Sequence, residues 1–169
     1  MDILRREIVT RLWDEHGAAL VLYAQQWCDT PEDVVQEAFL LLVRQVVAPD
    51  NAVGWLYRVV RNRGINAARS RGRRSRHEAS AARHGEPWFE RSEGDRLDAA
   101  AAADALKHLP IEQREAIVAR LWGGLSFEAI AKLSGDSLSK VYRSYQRGLA
   151  ALRERLEGSC LTTKTKTKR

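Results

Sequence analysis

The sequence predicts an all-α protein of two small helical domains joined by a linker, and three observations carry that prediction. Apolar residues recur three or four positions apart along nearly every patterned stretch, the period of a helix face, and no stretch needs to be a strand. Residues that start helices stand just before those stretches: Thr30-Pro31, Asn51, Ser126 and Ser137. The pattern lapses between residues 78 and 95, where Gly, Pro and mixed charge replace it. The expected organisation is a first domain over 1–77, a linker over 78–95, a second domain over 96–157 and a basic tail over 158–169.

In the first stretch Leu4, Ile8 and Leu12 share a face, Leu20, Tyr23 and Trp27 continue it, and Gly17 is expected to bend or break it. Thr30 is expected to cap the second helix. Pro31 suits its first position, and Asp33 would complete a capping box with an acid in place of the usual Glu. Val34, Val35, Ala38, Leu41 and Leu42 then point inward, and the helix should end near Pro49. The third helix starts after the capping residue Asn51, with inward pairs Trp55/Val59 and Leu56/Val60. From Asn51 to His77 there is no acid and there are eight arginines. The aromatic pair Trp88-Phe89 could dock the linker on a domain surface.

The pattern resumes near Arg96 with Leu97, Ala101, Ala105 and Leu106. A helix follows Leu109-Pro110 with Ile117, Val118 and Leu121 inward, and Gly123-Gly124 should end it. Ser126 caps a short helix, Ser134-Gly135-Asp136 makes a turn, and Ser137 caps a longer basic helix. The tail LTTKTKTKR is polar and basic and is expected to be disordered.

Composition narrows the function. With 44% hydrophobic residues, the 169-residue chain can bury a core. Its net charge of +6 favours an acidic partner such as nucleic acid or an anionic membrane. Cys28 and Cys160 form no CxxC pair, so neither a disulfide framework nor a zinc site is expected, and a reduced cytoplasmic location fits. No apolar run approaches membrane-spanning length, and the acid-bearing start MDILRREIVTRLWDEH does not look like a secretion signal. His16, His77, His84 and His108 are scattered, and no catalytic set, metal-spaced cluster or phosphate-binding glycine loop appears. No enzyme activity, metal or cofactor is expected.

Two elements point to DNA. A short helix, a Gly-containing turn and a longer basic helix form a helix-turn-helix pattern. Ile130, Ala131 and Leu133 would brace the first helix. Ser137, Ser139, Lys140, Tyr142, Arg143 and Arg147 of the second would face outward, with Val141, Tyr145, Leu149 and Leu152 inward. Arg and Lys there can meet phosphates or guanine edges. Separately, the arginines of the third helix repel one another unless something neutralises them, and Trp55 and Tyr57 beside them could stack an unpaired base. A tryptophan in such a place is more often a core residue than a base-stacking one.

In this context three segments resemble the extracytoplasmic-function (ECF) sigma factors of the sigma-70 superfamily. DTPEDVVQEAFLLLVRQ resembles the polymerase-binding helix, GWLYRVVRNRGINAARSRGRR the adjoining −10 segment, and ALKHLPIEQREAIVARLWGGLSFEAIAKLSGDSLSKVYRSYQRGLAALRERL the −35 domain. The resemblance covers roughly Leu12 to Leu156. It implies that Asp33, Gln36, Glu37 and Phe39 dock on core RNA polymerase. It implies that Trp55, Arg58, Arg61, Asn62, Asn66, Arg69, Arg73 and Arg74 handle the −10 element of promoter DNA. It implies that Lys140, Arg143 and Arg147 lie on the recognition helix, that the protein is a monomer when free, and that an anti-sigma factor controls it. Asn66 departs from the usual Asp, Lys140 from Thr, Ser144 from Arg and Asp136 from an apolar turn residue. An acid at 136 would lie near DNA phosphates or weaken the hairpin packing. A stand-alone helix-turn-helix regulator would leave the N-terminal half without a purpose; a degenerate sigma with weak DNA reading is the other alternative.

Overall fold

The structure, a computed structural model, describes residues 3–74 and 104–166, with side chains described over 6–70 and 104–156. Every element among the described residues is helical. The N-terminal half holds α1 (Ile3–Ala24), α2 (Pro31–Arg44) and α3 (Ala52–Arg74). The C-terminal half holds a helical stretch over residues 104–107 (α4), then α5 (Ile111–Ile117), a π-helical turn (Val118–Trp122), α6 (Phe127–Ser134) and α7 (Leu138–Lys166). The expected linker, with Trp88 and Phe89, lies outside the described residues.

α1, α2 and α3 pack mutually. Leu20, Tyr23, Val35, Ala38, Leu56 and Val60 supply the buried contacts, as the four-residue spacing predicts. Gly17 does not break α1; the Trp13 ring lies over it, 3.6 Å from where a Cβ would stand. Asn51 caps α3 as expected, its Oδ1 accepting from Gly54 N at 2.8 Å. Thr30 does not cap α2. Its side chain makes no capping hydrogen bond, because its backbone (φ −124°, ψ 60°) departs from the extended geometry a capping residue adopts. Pro31 opens that helix as expected, but α2 stops at Arg44, not near Pro49. There Gln45 turns to extended backbone (φ −62°, ψ 132°), leaving Val46 and Val47 exposed.

In the C-terminal half, Ser126 Oγ accepts from Ala129 N at 3.1 Å and caps α6. Ser137 Oγ accepts from Lys140 N at 3.3 Å and caps α7. Gly135, with φ of +78°, supplies the left-handed residue that ends α6. Leu121 was expected inward but is 52% exposed. The cause is the π-helical turn. Gly123 N donates to Val118 O at 3.1 Å, an i−5 bond that adds a residue to the turn and rotates Leu121 and Trp122 outward. The helical backbone also continues to Lys166, beyond the place where a disordered tail was expected. No Pro or Gly follows Gly158 to stop it.

The two halves touch. α1 packs on the π-helical turn and α3 on α6, and the buried apolar side chains of both halves form one continuous cluster. Gly123 lies against the Tyr57 ring, so closely that a Cβ would approach Cζ to 2.7 Å.

Candidate polymerase and nucleic-acid interfaces

Three surfaces collect the residues singled out in the sequence. On α2, Asp33, Gln36 and Glu37 are exposed, one helical turn apart. Glu37 is not free: its carboxylate accepts a hydrogen bond from Arg63 of α3. Phe39 does not belong to this surface. It is 5% exposed and packs edge-on against Trp13, with ring centroids 4.9 Å apart. The apolar period that buries Val35 and Ala38 buries Phe39 too, so its part is to fix the helix that presents the acids.

The second surface is one face of α3. Arg58, Asn62, Asn66 and Arg69 are exposed and recur three or four residues apart, so they form a single stripe. Trp55, half-buried, begins the same stripe and also packs against the core. Tyr57, the other ring suggested for base stacking, is fully buried among Tyr23 and its neighbours, and burial pushes its phenol up. Arg73 and Arg74 fall in the last turn of α3, and their side chains lie outside the described residues. An open groove of about 870 Å³ separates α2 from α3, with Asp33 and Glu37 on one wall and Asn62, Arg63 and Asn66 on the other. Its charged and amide lining suits a macromolecular surface better than a small apolar ligand.

Arg61 stands apart from the stripe. Its Nε donates to Glu115 Oε1 of α5 at 2.7 Å, and Tyr23 OH donates to the same oxygen at 2.7 Å. Glu115 is 6% exposed. Burial opposes charge on Arg61, yet the Glu115 hydrogen bond and charge outweigh it and raise the guanidinium's pKa. Burial, followed by the Glu115 carboxylate, raises the Tyr23 phenol well above its ordinary range. Sequence reading passed over Glu115. The usable signal was an acid three and four residues before the apolar Val118 and Ala119, on a face that demands a partner once buried.

The third surface is the start of α7. Ser137, Ser139, Lys140, Tyr142, Arg143 and Arg147 are all exposed, while Val141 and Leu152 are buried and Tyr145 and Leu149 are half-buried. Tyr142 stacks edge-on with Phe127, 5.3 Å between centroids, and Phe127 carries Arg120 over its ring at 5.0 Å. Asp136 does not stand unpaired. It takes Lys140 Nζ at 2.6 Å, and its N–H donates to Ser134 Oγ and Ala131 O. The Asp136 hydrogen bond and charge raise the Lys140 pKa. Among the described residues no group of His, Cys, Asp and Glu could hold a metal, and no helix is long and apolar enough to cross a membrane.

Comparison with known proteins agrees with this layout. Residues 12–74 match sigma-70 region 2, and residues 99–152 match sigma-70 region 4. The ECF RNA polymerase sigma factor SigE of Mycolicibacterium smegmatis is 34% identical over 132 residues. That match covers 74% of this chain, and the chain spans about half (51%) of SigE. The sigma factor RpoE, solved in complex with the anti-sigma factor NepR from Bartonella quintana, superposes with a TM-score of 0.62 at 22% identity. It covers 90% of this chain and 98% of its own, a likeness of fold. CnrH, solved with the cytosolic domain of CnrY, gives a TM-score of 0.61 at 26% identity, with 90% of each chain covered. With region 2 on the three-helix half, region 4 on the helix-turn-helix half and an ECF relative across both, the chain belongs to the sigma-70 superfamily as a sigma factor of the extracytoplasmic-function type.

Proposed function

We propose that this chain binds core RNA polymerase in the cytoplasm and directs it to promoters, as a non-catalytic subunit that is monomeric when free. The observation that supports this best is the pairing of two kinds of surface on one chain. An acidic and amide face on α2 adjoins an arginine and asparagine stripe on α3, and a separate recognition helix lies exposed on α7. A stand-alone DNA reader has no use for the first of these.

In this reading residues 1–77 form the polymerase- and −10-binding domain, 78–95 the linker and 96–157 the −35-binding domain. Asp33, Gln36 and Glu37 meet basic groups of the polymerase. Trp55, Arg58, Asn62, Asn66 and Arg69 track the opened −10 strand, its phosphates on the arginines and a base against the indole. Arg61, Arg73 and Arg74, which match the same segment of the family, would add phosphate contacts to that strand. Ser137, Ser139, Lys140, Arg143 and Arg147 approach the −35 major groove with the N-terminus of α7, where free N–H groups suit a phosphate. Tyr142 supports them through Phe127. An anti-sigma factor, the partner of the RpoE neighbour, is the proposed inhibitor.

The test is co-purification with core polymerase from the host, followed by sequencing of the bound DNA. A stoichiometric complex carrying a shared two-element motif is expected. DNA binding without polymerase would replace this reading with the stand-alone regulator.

A further inference from the structure

The function proposed above requires the two halves to read DNA elements about 25 base pairs apart, or roughly 85 Å of duplex at about 3.4 Å per step. The chain as folded is far smaller. A compact protein of this length has a radius of gyration of about 15 Å, and so a diameter near 40 Å. The halves are also fastened to each other. Glu115 of α5 accepts from Tyr23 of α1 and Arg61 of α3, both at 2.7 Å, across a junction where Gly123 abuts Tyr57. Arg61 is thus spent on a carboxylate of its own chain.

We propose that Glu115 is an intramolecular stand-in for a DNA phosphate, a latch that holds the free chain closed and withholds Arg61 from the −10 strand. Opening exchanges the Glu115 carboxylate for a phosphate on the same guanidinium. The charge-assisted hydrogen bond is replaced in kind, so Arg61 need not be left buried and unpaired. The stretch between residues 74 and 104 has the length to permit it: about thirty residues reach at most roughly 100 Å. The latch therefore couples DNA binding to domain separation, and anything that favours the open chain raises affinity for single-stranded DNA.

The experiment uses the full chain without polymerase. Small-angle X-ray scattering gives the radius of gyration, and fluorescence anisotropy gives affinity for a labelled single-stranded oligonucleotide at fixed salt. Glu115→Gln and the milder Tyr23→Phe should both expand the chain and tighten DNA binding, Glu115→Gln by about three- to tenfold. Circular dichroism confirms that each keeps its helix. Arg61→Ala should expand the chain equally but gain no affinity, because it removes the group the latch withholds. Glu154→Gln, which deletes the same charge from an exposed site on α7, sets the effect of net charge alone. The latch is refuted if Glu115→Gln and Tyr23→Phe leave the radius of gyration unchanged. Masking of Arg61 is refuted if Arg61→Ala gains as much affinity as Glu115→Gln, or if Glu115→Gln gains no more than Glu154→Gln. Polymerase co-purification fails or succeeds independently of these readouts, so a failed sigma reading is not confused with a failed latch.

Discussion

α3 and α7 are both basic helices proposed to meet DNA, and each has a cation held by an acid of its own chain. The two pairs differ in kind. Arg61 is held by Glu115 from 54 residues away, with side-chain exposures of 22% and 7%. Lys140 is held by Asp136 one turn before it, with exposures of 51% and 25%. A solvated pair along one helix end is weak and rearranges freely. A pair closed off from water is strong as a contact and costly to break on one side only, because the partner is left charged and buried. Local pairing on α7 therefore tunes a surface, whereas the long-range pairing on α3 bears on how the halves are arranged.

The largest effect separates the two faces of α3 from each other. Leu56 is fully buried beside the arginine stripe. Leu56→Ala should cost about 3 kcal/mol in urea unfolding, since it leaves a cavity among α1, α2 and α3. Arg58→Ala, on the exposed face, should leave the unfolding midpoint within error. Equal losses would mean that the stripe is part of the fold and not a surface held ready for a ligand.

Next in size is the acidic face of α2. Asp33→Ala combined with Glu37→Ala should weaken core polymerase binding at least tenfold, judged by the charge-assisted hydrogen bonds removed. Helicity should stay unchanged, because the pair lies outside the core. A drop in helicity would instead assign Asp33 to the helix N-terminus, where it complements the dipole. A smaller effect is expected on α3. Arg58→Ala combined with Arg69→Ala should reduce affinity for single-stranded DNA and flatten its salt dependence by about 0.7 for each phosphate no longer neutralised. An unchanged slope would remove both arginines from the strand path.

Much of this was legible in the sequence, for reasons that can be stated. The core of α1–α3 follows apolar spacing, so Leu20, Val35, Leu56 and Val60 were readable as buried. The caps at Asn51, Ser126 and Ser137 were readable because each side chain satisfies an N–H only three residues on. The exposed face of α7 followed from its buried one. Three features were hidden. The π-helical turn, closed by Gly123 N donating to Val118 O five residues back, breaks the four-residue period without any change in the apolar pattern, and it turned Leu121 outward. Phe39 matches a docking run of the resembled family, and that match hid what the helical period alone would have given, a core position beside Trp13. Glu115 gained its meaning only when α5 met α1 and α3, a contact between segments far apart in the chain.

The smallest effect is the one that decides what Asp136 is for. Where the resembled family has an apolar turn residue, this chain has an acid, and the acid binds Lys140 while its N–H closes the turn on Ser134 and Ala131. An Asn keeps the turn's backbone bonds and loses the charge. Asp136→Asn should therefore leave helicity unchanged, release Lys140 and raise affinity for −35 duplex DNA by less than about fivefold. It should also steepen the salt slope by about 0.9, the increment for one more phosphate neutralised in duplex DNA. Higher affinity with an unchanged slope would mean that removing a repulsive acid, and not freeing Lys140, accounts for the gain. In that case the lysine already reaches the phosphate past its partner, and the pair seen here is merely the resting position of a side chain that exchanges one anion for another.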